Sequence, residues 1–233
     1  MLHLSRKAAL LLLILAQLAC ARLTEKQVRV FAASSLRELL TEIKDDHVAR
    51  SGQRIAIQFE SSAILARQIE AGAEAHVLIS ASPEWIERVR PLERYDWLSN
   101  RLVCVAANHS LDVDIKELDS LVLANEKVPV GKYARDAFRS LGIATPKRTI
   151  YGSNARDVLT KVMLGAATAG VVYATDAAAE PGVRIVYTFP EHSHAKITYS
   201  VGLLGEEGRP FFNRLREPAA LQRATRRGFL EIH

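Results

Sequence analysis

Cysteine is almost missing from this chain of 233 residues, which has only Cys20 and Cys104. Two thiols are too few for a disulfide framework or a cysteine-based metal site. An excess of charge is missing too, since 31 basic and 26 acidic residues leave a formal +5. That is too mild a balance to argue for a nucleic-acid partner. Beyond the first 21 residues no apolar run is long enough to cross a bilayer. Also absent are internal repeats, low-complexity tracts and a G-x-S-x-G elbow of the kind that exposes a nucleophilic serine.

What is present begins with "MLHLSRKAALLLLILAQLACA", a basic start at Arg6 and Lys7, an apolar run, then small residues at Ala19 and Ala21. This is the layout of a secretory signal, so residues 1–21 are expected to be cleaved and the product to be periplasmic. Removal takes two cations and no acid, leaving +3. Cys20 raises the alternative of a lipid anchor. "QLAC" has Gln17 where a lipoprotein signal wants an aliphatic residue, whereas "ACA" suits ordinary cleavage. Cys104, inside the alternating "RLVCVAA", reads as a small core residue.

With 48% hydrophobic residues the chain has material for one large domain or two lobes. From Gln27, short β-branched runs alternate with stretches of helical spacing. "QVRVFAA" precedes a helix with Leu36, Leu39, Leu40 and Ile43 on one face; "RIAIQFE" precedes "ILARQIEAG"; "HVLISA" precedes a short helix opened by Pro83. After "RLVCVAA" the pattern restarts through "LVLAN", "RTIYG" and "AGVVYATD", each followed by a helical stretch. Two βαβ series predict an α/β fold of two lobes, each a mostly parallel sheet flanked by helices. The expected division is 22–107 for the first lobe, 108–195 for the second, and 196–233 returning to the first. The arginines of "RPFFNRLREP" and "AALQRATRRGF" read as a solvated face.

In open parallel sheets, strand carboxyl ends and the helix starts that follow them gather along one edge, where ligands bind. Strand one ends at Ser34 and Ser35, strand two at Ser61 and Ser62, and the second series offers "VPVG" and "GSN". Free N–H groups at helix starts favour an anion. One such seam reads most simply as a capped helix, worth about 1 kcal/mol; four together open the alternative of an anion site.

The stretches "VFAASSL", "FESSAILARQIEAGAEAHVLISA", "VPVGKYA", "AGVVYATDA" and "VYTFPEHSH" occur in the order found in the periplasmic molybdate-binding proteins of bacterial ABC importers, and the chain resembles that family from about Gln27 onward. The resemblance implies the two-lobed class II periplasmic-binding-protein fold closing over molybdate or tungstate, no cofactor, a monomer, and a permease with its ATPase as partners. It places the ligands at Ser35 and Ser62, through hydroxyl and backbone N–H, at Val130 and Ala155 through backbone N–H, and at Tyr173. Ser34 and Ser61 are then neighbouring packing or capping groups.

The chain departs from the family at His76, where Asp is usual, and at Glu60, where a small residue is common; Glu60 is expected to point away, since a carboxylate repels a dianion. His192 and His194 of "EHSH" lack a third metal ligand in reach and read as a surface loop, and His47 as a boundary residue. A site made only of donors disfavours phosphate, whose proton finds no acceptor. Other classes remain: a binder of sulfate, an organic anion or a metal chelate, a sensory module on the same fold, or a hydrolase, for which neither Ser35 nor Ser62 has a base marked out.

Overall fold

Alternation along β1 (Val28–Ala33) feeds two separate cores. In the computed structural model, which describes residues 27–110 and 113–232, Val28, Val30 and Ala32 join the main core. Phe31 faces a smaller cluster with Ala63, Leu65, Ala66, Leu78, Trp85 and Ile86. A strand buried on both faces belongs inside a sheet covered on both sides, and β1 lies there. The proposed signal segment, with Cys20, falls outside the described residues.

The first sheet combines β1 with β2 (Ile55–Glu60), β3 (Val77–Ser80), β4 (Glu93–Ser99), β10 (Thr198–Leu203) and β11 (Leu230–Glu231), in the order β11-β4-β10-β3-β1-β2. The second contains β5 (Leu102–Ala107), β6 (Ser120–Ala124), β7 (Arg148–Gly152), β8 (Ala169–Tyr173) and β9 (Val183–Thr188), in the order β7-β6-β8-β5-β9. Both are mixed rather than mostly parallel. The parallel part is β2-β1-β3 in one and β7-β6-β8 in the other. Antiparallel strands β10 and β5 are added to them at the places where the chain passes from one sheet to the other. A strand that arrives from the other sheet has no crossover helix to turn it parallel.

Two connections join the lobes: Asn100–Arg101 between β4 and β5, and residues 189–197 between β9 and β10. Leu102–Ala107 therefore belongs to the second sheet, not to the first lobe as the sequence reading had it. That reading missed β4, because "ERYDWLS" mixes charged and aromatic residues and shows no clean strand pattern. Tyr95 and Trp97 instead point their polar atoms at the carbonyls of Phe212 and Leu215.

Helices α1 (Arg37–Ser51), α2 (Ser62–Glu70) and α3 (Pro83–Arg88) cover the first sheet, and α4 (Pro129–Leu141), α5 (Ala155–Met163) and α6 (Ala174–Ala178) the second. The closing helices α7 (Arg209–Arg214) and α8 (Pro218–Arg226) pack on α1. Their arginines do more than face solvent. Arg214, 6% exposed, pairs with Asp46 and Glu217; Arg223 also reaches Asp46, and Arg227 reaches Glu42. Hydrogen bonds from Arg223 and Arg214 hold the Asp46 carboxyl down at about 2. His47, read as a boundary residue, is buried beside these pairs, with its ring edge against Phe211 and Nε2 2.9 Å from Gln53 Oε1. Among the described residues no helix is long and apolar enough to cross a membrane.

Cys104 lies fully buried in β5, and burial pushes its thiol up to about 12. In a chain beginning at residue 22, Cys104 is expected to react with a thiol reagent on the order of a hundredfold or more slowly in the native state than in denaturant. Reaction at equal rates in both conditions would show that β5 is not a central strand.

Candidate functional site

The carboxyl ends of the parallel strands of both sheets meet at one place. Ser34 and Ser35 follow β1, Ser61 and Ser62 follow β2, and Ala81 follows β3. Opposite them, Val128 precedes α4 and Pro129 and Val130 open it, Asn154 and Ala155 lie at the start of α5, and Tyr173 closes β8. These residues, with Glu60, line a narrow cavity of about 10 Å³ between the lobes. That is room for about one water-sized sphere, far below the roughly 300–1,000 Å³ of pockets for drug-sized ligands, so only a small guest suits the space.

All five residues named from the sequence line this cavity: Ser35, Ser62, Val130, Ala155 and Tyr173. Ser62, Val130 and Ala155 lie in the first turns of α2, α4 and α5, where no helical carbonyl is in place to accept their N–H groups. Pro129 at the start of α4 supplies no N–H of its own and presets the helical turn that carries Val130. Gly131 is required behind it, since a Cβ there would lie 2.2 Å from the Asn125 carbonyl oxygen.

The hydroxyls are set up as donors. Ser62 Oγ accepts the Ala81 N–H at 3.0 Å, which occupies a lone pair and leaves its hydrogen for another partner. Ser35 Oγ lies 2.9 Å from the Tyr199 hydroxyl, itself within reach of Asn100 Nδ2 at 3.2 Å. With Tyr199 accepting from Asn100 and donating to Ser35, the Ser35 hydrogen is likewise available to the cleft. Tyr173 Oη is buried and has no hydrogen-bond partner among the described residues. Burial holds its pKa well above the usual phenol range, so it remains a neutral donor. Ser61, by contrast, caps α2 by accepting from the Ile64 N–H at 3.4 Å.

Glu60 does not point away. It ends β2 opposite Ala33 of β1 and lines the cavity, where its Oε1 accepts from the Ser61 N–H and from Asn154 Nδ2, both at 2.7 Å. The sequence reading considered only repulsion and overlooked that helix-start donors can hold a carboxylate in place. The Asn154 bond also crosses the cleft, and it is not alone. Lys132 of α4 pairs with Glu84 of α3 at 2.8 Å, and Tyr133 donates to the Ala81 carbonyl at 3.3 Å. Arg156, next to Ala155, pairs with Glu38 across the cleft and places Nε 2.8 Å from Asp176 Oδ1, close but not aligned for a hydrogen bond. Burial pushes the Asp176 carboxyl up to about 6 although Arg156 draws it down.

Other candidates lie elsewhere. His76 precedes β3 at the end of the strand remote from the cleft; its Nδ1 accepts the Arg29 N–H at 2.9 Å, and Nε2 faces Glu74 at 3.5 Å. It is a structural residue, not a determinant of cargo. His192 is exposed, and His194 rests its ring near Tyr133. Among the described residues no group of three or more His, Cys, Asp or Glu can hold a metal ion. Sequence reasoning missed Tyr199, Asn100 and Ala81, which orient the two serines from distant parts of the chain, and no local pattern marks them. Arg156 lies beside the quoted "GSN" and Asp176 inside the quoted "AGVVYATDA", but neither carries a signal of pairing.

Two α/β lobes joined by two connections, with a small cavity between them at which serine hydroxyls and helix-start N–H groups gather, have the architecture of a solute-binding protein. The chain belongs to the bacterial extracellular solute-binding protein family, whose profile matches residues 28–230. It is 34% identical over 231 residues to the molybdate-binding protein ModA of Escherichia coli strain K12, covering 88% of this chain and 89% of the relative. ModA of Haemophilus influenzae is 29% identical over 93% of this chain and 95% of its own length. Among solved structures, the periplasmic molybdate-binding protein of Azotobacter vinelandii superposes with a TM-score of 0.77 at 18% identity, covering 88% of this chain and 100% of that one. The sulfate-binding protein SubI of Mycobacterium tuberculosis superposes at 0.73 with 12% identity over 89% of this chain and 87% of its own, a likeness of fold alone.

Tyr173→Phe separates binding from folding. Without its hydroxyl the ligand-free protein is expected to melt at the same temperature or higher, because a buried donor lacking a partner is removed. Anion binding should weaken by about 1–3 kcal/mol in calorimetric titration. A fall in melting temperature with unchanged affinity would put the hydroxyl outside the site.

Proposed function

We propose that the interlobe cleft captures a small tetrahedral oxyanion, with molybdate or tungstate as the cargo, and that the closed protein delivers it to an ABC permease and its ATPase. The observation that carries this reading is the buried hydroxyl without a partner on Tyr173, a residue that lines the cavity where two serines and three first-turn N–H groups gather from both lobes. An anion with oxygens on all sides satisfies such a set, and it does so only when the lobes are closed. Two ModA relatives that match most of the chain support molybdate as the cargo. Val130 and Ala155 act through the backbone, so their side chains set shape and not chemistry. The signal-like residues 1–21 support export to the periplasm, with lipidation at Cys20 as the alternative, and the protein acts as a monomer.

The site reads as a binding site and not a catalytic one. The recorded partners of Ser35 and Ser62 are a tyrosine hydroxyl and a backbone N–H, and neither is a base that takes a serine proton.

A thermal-melt titration of residues 22–233 tests the proposal. A ligand at 1,000 times its dissociation constant adds about 4 kcal/mol of stability, so molybdate and tungstate should raise the melting temperature by several degrees. Ser62→Ala should weaken that response and also lower the ligand-free melting temperature, since it strands the buried Ala81 N–H at a cost of about 1–3 kcal/mol. Absence of any shift with either metal oxyanion would leave the fold without this cargo.

A further inference from the structure

The cavity contains one group that does not fit a site built only of donors. Glu60 brings a carboxylate to the lining, at the junction of the two lobes. Both of its recorded hydrogen bonds use Oε1, one to the Ser61 N–H and one to Asn154 Nδ2. Oε2 is in neither bond and keeps its lone pairs. Among the described residues no Lys or Arg forms an ion pair with Glu60, so its charge is balanced only by N–H dipoles. The nearby cations are committed: Arg156 to Glu38 and Asp176, and Lys132 to Glu84.

A carboxylate in this position has two effects on a bound oxyanion. It repels a bare dianion, and it accepts a hydrogen bond from an oxyanion that carries a proton. We infer that Glu60 is a specificity-determining residue that admits hydrogen-bearing oxyanions, of the monohydrogen phosphate or arsenate class, and lowers the affinity for bare dianions relative to a cleft with a small residue there. The inference rests on the oxyanion reading of the cleft and not on molybdate or tungstate as the cargo, since both are bare dianions that Glu60 holds less tightly than a small residue would allow. It also removes the sequence-based ground for disfavouring phosphate, which assumed that the site lacked an acceptor.

Monohydrogen phosphate and sulfate are the decisive pair, because they match in charge and closely in size and differ by one proton. Glu60→Gln keeps an acceptor for Ser61 and Asn154 and exchanges Oε2 for an NH2 donor, so the shape is retained while the acceptor is lost. Both proteins are titrated calorimetrically with phosphate, sulfate and molybdate at about pH 8, where phosphate is chiefly the monohydrogen dianion. The ligand-free melting temperature reads folding separately. The wild-type protein should bind phosphate more tightly than sulfate, and in Glu60→Gln the phosphate-to-sulfate affinity ratio should fall on the order of tenfold or more while molybdate binds more tightly. A wild-type protein that binds molybdate but not phosphate, one that prefers sulfate to phosphate, or a ratio unchanged in the variant while molybdate still binds, overturns the role of Glu60. If neither protein binds any of the three, the oxyanion reading itself fails and the inference falls with it.

Discussion

A helix start buried without an acceptor is a debt in free energy, and three of them face each other between these lobes. The first turns of α2, α4 and α5 end in N–H groups that helical geometry cannot satisfy, and the parallel strands aim all three at one cavity. No Lys or Arg is needed to make such a place attractive to an anion, since aligned peptide dipoles already put positive potential there. Much of the rest follows from holding these groups in register. The lobes share two connections, and β10 returns through the first sheet to place Tyr199 behind Ser35. The arginines of α7 and α8 tie the closing helices to α1, whose start follows that serine.

Closure itself is built from contacts that are weak singly. Lys132–Glu84 is an exposed pair of the kind worth about 0–1 kcal/mol. The Arg156 guanidinium is more demanding, because it stands between Glu38 of one lobe and the fully buried Asp176 of the other. Ion pairs as buried as this one recover little beyond their desolvation, and their value is more in fixing a geometry than in stability. Arg156 adjoins Ala155, so the geometry it fixes is the approach of an anion-facing N–H to the first lobe.

The sequence made the positions of the seams legible for a physical reason. Strand-to-helix junctions are local, and hydroxyls after β-branched runs mark them without reference to the rest of the chain. Five of the residues that line the cavity were readable on that basis together with family resemblance. What could not be read depends on distant partners. β4 is stabilised by Phe212 and Leu215 carbonyls more than a hundred positions away, and with β4 unseen the lobe boundary moved. The poise of the two serines depends on Tyr199 and Ala81, which no spacing rule connects to them. Glu60 is the instructive case. Pairwise repulsion said that it should turn out, but Ser61 and Asn154 supply two donors at 2.7 Å, and the second comes from the opposite lobe.

That last contact changes how selectivity in this cleft should be understood. Charge alone discriminates poorly here, because the rim cations are neutralised by rim carboxylates and the short-range dipoles of the helix starts act beside the Glu60 carboxylate. Size discriminates between metal oxyanions and smaller ones only as far as the lobes keep one closed geometry, which the cross-cleft pairs help to define. The parity of donors and acceptors is the remaining variable. A cleft of hydroxyls and N–H groups counts every ligand oxygen as an acceptor, whereas one carboxylate oxygen among them allows a single ligand oxygen to be a donor. Under the proposed reading, a carboxylate at Glu60 in place of a small side chain alters the class of anion the site can satisfy and adds a hydrogen bond across the cleft, from Asn154.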